Sequence, residues 1–178
     1  AKLYYNDYSM SKPGKRAGVC RLVRHLQNEG IRIDGVGMQS HNGMDHPDLK
    51  EYEASIDSFA TLGVKVSMTE LDINILPQPQ HFNGAGVEQN FEYQKQLNPY
   101  ADGLPAKVQK QLDDRWLAFY NIYKKHASQI ERITLWGLTD GDSWLNDWPV
   151  RGRTNYSLLF DRDYNAKPVV NEIINIFK

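Results

Sequence analysis

Apolar and polar positions along the chain fall into two periods, one near two residues and one near 3.6, which mark strands and helices respectively. Leu3-Tyr-Tyr-Asn-Asp-Tyr8 reads as a strand that runs into the turn chemistry of Ser9 to Gly14. Ala17, Val19, Cys20, Val23 and Leu26 then recur at helical spacing from Arg16 to Asn28, and Gly30 supplies the stop. A second strand, Ile31 to His41, leads through a polar loop to Pro47, after which Asp48 caps a helix striped by Tyr52, Ile56, Phe59 and Ala60. Val64 to Thr69 is a β-branched third strand. The stretch from Ile75 to Leu104 is a long excursion rich in Pro, Gly, Asn and Gln, with a short helix expected from Val87 to Leu97. Val108, Leu112, Trp116, Phe119 and Tyr123 stripe a helix from Pro105 to Ser128, and Ile130 to Leu138 forms the fourth strand. Beyond the loop from Ser143 to Asn155, Pro168 opens a last helix that buries Val169, Val170, Ile173, Ile174 and Phe177.

Four strands alternating with four helices predict an α/β fold with parallel strands and right-handed crossovers. A doubly wound sheet fits that order, but no Gly-rich phosphate fingerprint follows the first strand. Each strand instead ends in polar residues on what becomes one rim: Asn6, Asp7 and Tyr8; Gln39 and His41; Glu70 and Asp72; Trp136 and Asp140. That distribution is how a TIM-type barrel builds its C-terminal face, so the expected architecture is a partial TIM barrel, a (βα)4 half-barrel. Along a strand, residues two apart share a face, and two carboxylates sharing a face at a strand end are costly unless they are used. Glu70 is therefore the first candidate for a catalytic group, with Asp72 beside it.

The 178 residues are 40% hydrophobic and carry 21 basic and 22 acidic side chains, a net charge of -1, which suits a neutral ligand and not nucleic acid. Ten Tyr and four Trp are a generous aromatic supply for flat apolar ligand faces such as sugar rings. The single cysteine, Cys20, sits in a helical apolar pattern and reads as a small hydrophobe. No apolar run approaches a membrane span, and no cofactor motif is present. His41, Asp45, His46 and Asp48 are ligand types in one short loop, but their spacing fits no tight zinc pattern and Pro47 interrupts them, so the expectation is a solvated loop and no metal. Asn155-Tyr-Ser157 is a glycosylation acceptor by pattern. The chain is strand-like from Ala1 and begins without Met, which reads as a piece that starts within a domain.

Tyr5-Asn-Asp-Tyr8, Gly35-Val-Gly-Met-Gln-Ser-His41, Thr69-Glu-Leu-Asp72, Thr134-Leu-Trp-Gly-Leu-Thr-Asp140 with Ser143-Trp144, and Leu159-Phe-Asp161 with Tyr164 and Lys167-Pro168 occur in this order and spacing. Together they resemble glycoside hydrolase family 10, the endo-β-1,4-xylanases, over nearly the whole chain, at the positions of strands five to eight of the family's (β/α)8 barrel. The resemblance implies a retaining hydrolase of xylan or xylo-oligosaccharides in which Glu70 is the nucleophile and His41 and Asp72 support it. It further implies sugar contacts from Asn6 and Gln39, walls from Trp136 and Trp144, and a rim contact from Arg151. A secreted or periplasmic enzyme is implied as well, because polymeric xylan is met outside the cell.

The family's general acid lies after strand four in an Asn-Glu pair. Here Asn28-Glu29 and Asn171-Glu172 both fall on expected helices, so the resemblance puts the proton donor outside this chain, which would then be inactive alone. Asp7, Asp140 and Asp142 are the rim carboxylates that remain as stand-ins. A half-barrel has two open sheet edges and an uncovered inner face, which recruit partners, either a second copy of this chain or an N-terminal half-barrel. In a two-fold dimer, equivalent strands would stand about 15 Å apart on opposite walls, too far for two copies of Glu70 to act as a retaining pair. The alternative class is a non-catalytic carbohydrate-binding or self-assembling half-barrel.

Overall fold

A computed structural model of the chain describes residues 1–82, 86 and 88–178. Five strands, β1 (Tyr4–Asp7), β2 (Gly35–Met38), β3 (His41–Gly43), β4 (Lys65–Asn74) and β5 (Ile130–Leu135), lie in one parallel sheet. Four helices, α1 (Pro13–Asn28), α2 (Leu49–Ala60), α3 (Ala106–Lys125) and α4 (Val169–Ile176), alternate with them. The sheet runs β1, β2, β4, β5, with β3 continuing the path of β2 along the same side of β4.

The expected second strand is thus two short ones. Ser40, between them, adopts a left-handed backbone at φ 66°, a conformation that interrupts strand pairing and that side-chain-bearing residues seldom adopt. The third strand runs on past Thr69 to Asn74. In the 75–104 excursion the described residues contain a single 3-10 turn at Lys95–Leu97 where a helix from Val87 to Leu97 was expected, and Val87 itself lies outside the described residues. The segment has too few apolar positions at helical spacing to bury a helix face.

Val36, Met38, Val66 and Met68 point to the helix-covered side of the sheet, where Val19 and Val23 of α1, Tyr52, Ile56 and Phe59 of α2 and Leu112, Trp116 and Phe119 of α3 complete a buried core. Asp48 caps α2 by accepting from the amides of Lys50 and Glu51. The opposite face carries Tyr4, Asn6 and Glu131. It is sharply curved: Lys2 and the Tyr4 hydroxyl, at the β1 edge, both reach the Glu131 carboxylate on β5 across two intervening strands. Gly35 makes room for this, because a Cβ there would overlap the Tyr4 ring.

Candidate active site

The C-terminal ends of the strands open on one cleft of about 820 Å³, whose lining includes Tyr8, Gln39, His41, Glu70, Asp72, Trp136, Trp144 and Trp148. The rim expected from sequence exists, and all four strand-end clusters contribute to it or flank it.

Glu70 is aimed by a bulge in β4. The pairing Met38 with Met68 resumes at His41 with Asp72, so three residues, 69–71, of β4 face two, 39–40, of its neighbour. The β5 side shows the same excess, with Met68 opposite Ile133 and Leu71 opposite Leu135. Neighbours in an unbroken strand face opposite ways. Here Thr69 and Glu70 both reach the Asn6 amide: the Thr69 hydroxyl donates to Asn6 Oδ1 at 2.7 Å, and Asn6 Nδ2 donates to Glu70 Oε1 at 3.3 Å. A bulge re-aims a side chain in this way. Its backbone is held by the Glu70 amide donating to the Gln39 carbonyl at 2.9 Å and the Asp72 amide to the Ser40 carbonyl at 3.4 Å.

Beyond the bulge, Glu70 and Asp72 do share a face, and His41 bridges them. His41 Nε2 lies 3.3 Å from Glu70 Oε2, and Nδ1 lies 3.1 Å from each oxygen of Asp72. Asp72 has no exposed surface and also accepts from the indole of Trp144 at 2.8 Å. Burial raises the Asp72 pKa, and the His41 and Trp144 hydrogen bonds pull against it. At His41 burial disfavours the charged ring, but the hydrogen bond and charge of Asp72, followed by those of Glu70, outweigh it and hold the imidazole above its ordinary value of 6.5. With Nδ1–H given to Asp72, a protonated ring offers Nε2–H to Glu70.

Aromatic rings wall the cleft. Trp144 lies 5.0 Å from the His41 ring and stacks on Trp148 at 4.6 Å, and Phe82 meets Trp148 edge-on at 5.2 Å. Trp136 stands 6.4 Å from His41 with 45% of its surface open. Sequence reasoning singled out Trp136 and Trp144 but passed over Trp148, four residues further along the same loop. Trp116 is a core residue on α3.

The other candidates divide between the cleft and its surroundings. Asn6 is exposed and not among the cleft-lining residues, and its amide touches Glu70 and Thr69. Gln39 does line the cleft. Arg151 is exposed and outside the lining, and Arg153 is the arginine built into the rim, donating to the carbonyls of Pro77 at 3.1 Å and Trp148 at 2.9 Å, with its pKa lowered by burial to about 10. Nothing in the local sequence separates the two arginines, since burial decides between them.

The stand-in carboxylates are all engaged. Asp7 takes Lys15 at 2.5 Å, the Tyr5 hydroxyl at 2.6 Å and the Tyr8 amide at 2.8 Å; burial acts against its charge, but these partners outweigh it and keep the carboxyl below its usual range. Asp140 pairs with buried Lys167 at 2.8 Å. Asp142 accepts from the amide and hydroxyl of Thr139 at 3.1 and 2.9 Å. In the 41–48 loop, His41 holds Asp72, Asp48 caps α2 and His46 contacts Asp45 at 2.8 Å. Among the described residues no group of three or more His, Cys, Asp or Glu is placed to hold a metal ion. Asn155 is fully buried and bonded to Asn74 Oδ1 at 2.7 Å, so it is no glycosylation acceptor in the folded chain.

Residues 1–176 match the family described as Glycosyl hydrolase family 10. The chain is 56% identical over 178 residues to Endo-1,4-beta-xylanase A of Xylanibacter ruminicola, covering all of this chain and 48% of that protein. It is 35% identical over 176 residues to an Endo-1,4-beta-xylanase of Geobacillus stearothermophilus, covering 99% of this chain and 48% of that one. Among solved structures, a GH10 endoxylanase retrieved from sugarcane soil metagenome superposes with a TM-score of 0.94 at 41% identity, over 99% of this chain and 51% of that one. A xylanase from Paenibacillus barcinonensis superposes at 0.82 with 29% identity, over 98% of this chain and 48% of that one. The chain spans about half the length of the curated relatives it matches. With a parallel α/β sheet, a carboxylate cleft at its C-terminal rim and a family match over nearly all its residues, the chain belongs to glycosyl hydrolase family 10.

Proposed function

We propose that this chain is the nucleophile-bearing part of a retaining endo-β-1,4-xylanase, positioned as the C-terminal half of a (β/α)8 catalytic barrel. The observation that carries this is the Glu70 carboxylate at the cleft, held from one side by His41 Nε2 and from the other by Asn6 Nδ2, each at 3.3 Å. His41 Nε2 faces Oε2 and Asn6 Nδ2 donates to Oε1, so the carboxylate is oriented through both oxygens, the pre-organisation that attack on an anomeric carbon requires. Asp72 anchors the imidazole that orients Glu70, and the stacked Trp144 and Trp148 offer an apolar wall to a sugar ring.

Retention also needs a second carboxyl about 5–5.5 Å from the nucleophile to protonate the leaving oxygen. Asp72 is buried and already accepts from His41 and Trp144, and Asp7, Asp140 and Asp142 each have other partners; of the remaining carboxylates that line the cleft, Asp48 caps α2 and Glu51 pairs with Arg16 at 2.9 Å. In this reading the proton donor is supplied by a complementary half-barrel, on a longer polypeptide or on another chain, that closes the barrel against the open β1 and β5 edges. Xylan is a polymer met outside cells, which makes an exported enzyme the consistent setting. Among the described residues no helix is long and apolar enough to cross a membrane.

A glycoside with an acidic leaving group needs no general acid, and this separates the two halves of the reaction. A fluorinated dinitrophenyl xylobioside should therefore label Glu70 covalently, as located by peptide mass, and Glu70→Gln should take no label. On xylan itself the chain alone should release no reducing ends until a complementary half-barrel is supplied. Labelling at a different residue, or xylan turnover by the chain alone, overturns the assignment. The engaged carboxylates also favour a second reading, a carbohydrate-binding piece without chemistry, for which the outcome is xylo-oligosaccharide binding with no label at all.

A further inference from the structure

Asn6 reaches β4 from β1 although β2 lies between them. Its register partner on β2 is Gly37, and a Cβ at that position would stand 2.5 Å from Asn6 Oδ1 and 3.0 Å from the Thr69 methyl. The amide therefore crosses the sheet over a residue with no side chain. At the far end it meets two groups of unlike capacity. A glutamate carboxylate can only accept, whereas a threonine hydroxyl can donate. One amide orientation satisfies both: Nδ2 toward Glu70 at 3.3 Å, and Oδ1 toward Thr69 at 2.7 Å. The flipped orientation would set Oδ1 against the carboxylate, acceptor facing acceptor. Thr69 can be used in this way only because the β4 bulge turns it and Glu70 to the same side.

We propose that Thr69 is a positioning residue for the Glu70 carboxylate, acting through the Asn6 amide across the space left by Gly37. The inference rests on the reading of Glu70 as nucleophile, but the orientation of the amide can be measured apart from it. Thr69→Val keeps the shape and removes the donor, so the Asn6 amide loses the group that selects its orientation. Thr69→Ser restores the donor without the methyl. Gly37→Ala obstructs the crossing and leaves Thr69 untouched.

The side-chain amide resonances of Asn6, read by NMR in the isotopically labelled chain, are expected to move in Thr69→Val and Gly37→Ala and to return in Thr69→Ser, with melting temperatures reporting whether each variant is folded. Covalent trapping of Glu70 by the fluorinated dinitrophenyl xylobioside is expected to slow about tenfold in Thr69→Val and to recover to within about twofold in Thr69→Ser. A folded Thr69→Val with wild-type Asn6 resonances overturns the inference, as does a trapping defect that serine does not rescue. If Thr69→Val does not fold, Gly37→Ala and Thr69→Ser decide by the same two readouts. Absence of labelling in the wild-type chain overturns the nucleophile assignment instead, and the Asn6 resonances then still decide whether Thr69 orients the amide.

Discussion

A carboxylate with no exposed surface persists at Asp72 because His41 Nδ1 faces both its oxygens and the Trp144 indole donates to one of them. Unpaired, such a charge would cost several kcal/mol or take up a proton. The arrangement sets the protonation of His41, whose pKa is raised against the opposing effect of burial. A raised histidine stabilises the fold fully below its unfolded value near 6.5, and that stabilisation is lost as pH rises through the higher folded value. In Asp72→Asn the largest raising influences are gone and burial prevails. The His41 titration midpoint, followed by NMR, should then fall below that of the wild type, and the loss of stability as pH rises above His41's ordinary value of 6.5 should diminish. An unchanged midpoint would mean that Asp72 does not control the ring.

At the scale of elements, the loop after β5 carries Trp144 and has little regular structure of its own, only two 3-10 turns at Asp140–Asp142 and Trp144–Asn146. Its anchor is Lys167, which reaches from the segment before α4 to Asp140 at 2.8 Å and to the carbonyls of Tyr156 and Leu158 at 3.0 and 2.6 Å. Burial lowers the lysine's pKa and raises that of the aspartate, so each charge depends on the other. Lys167→Ala leaves the Asp140 charge buried without its cation, with the Leu158 amide at 2.9 Å still donating to Oδ1. It should cost about 3 kcal/mol, or about 6–12 °C in melting temperature for a chain of this length, by calorimetry or denaturant melts. Because Trp144 sits on the anchored loop, its fluorescence should shift toward that of an exposed indole. A shift of stability under about 1 kcal/mol would show that the loop holds without the pair.

Taken whole, the molecule exposes 9824 Å², whereas the scaling for compact monomers gives about 8,900 Å² at this mass of 20.5 kDa. A larger surface than a compact monomer of this mass is in keeping with a sheet whose β1 and β5 each pair on one side only among the described residues. Paired charges such as Lys2 with Glu131 slow indiscriminate aggregation but do not close the edges. Sedimentation at micromolar concentration should show self-association of the chain alone, suppressed when a complementary half-barrel is added. A monomer stable across that range would show that the open face is self-sufficient.

Patterning along the chain was enough to read the four helices and, apart from the division of the second, the strands between them, the apolar stripe of α3 through Trp116 and Tyr123, and the rim on which Gln39, His41, Glu70 and Asp72 gather. These follow from local periods, because burial of one face of each element is enough to enforce them. The β4 bulge that turns Thr69 with Glu70, the break at Ser40, the passage of Asn6 over Gly37 and the burial of Arg153 in place of Arg151 arise when the elements pack. Each depends on contacts between residues far apart in the chain, such as Asn6 with Thr69 or Asp72 with Trp144, and on which polar atoms find a partner once water is removed. A period in the sequence carries no information about either.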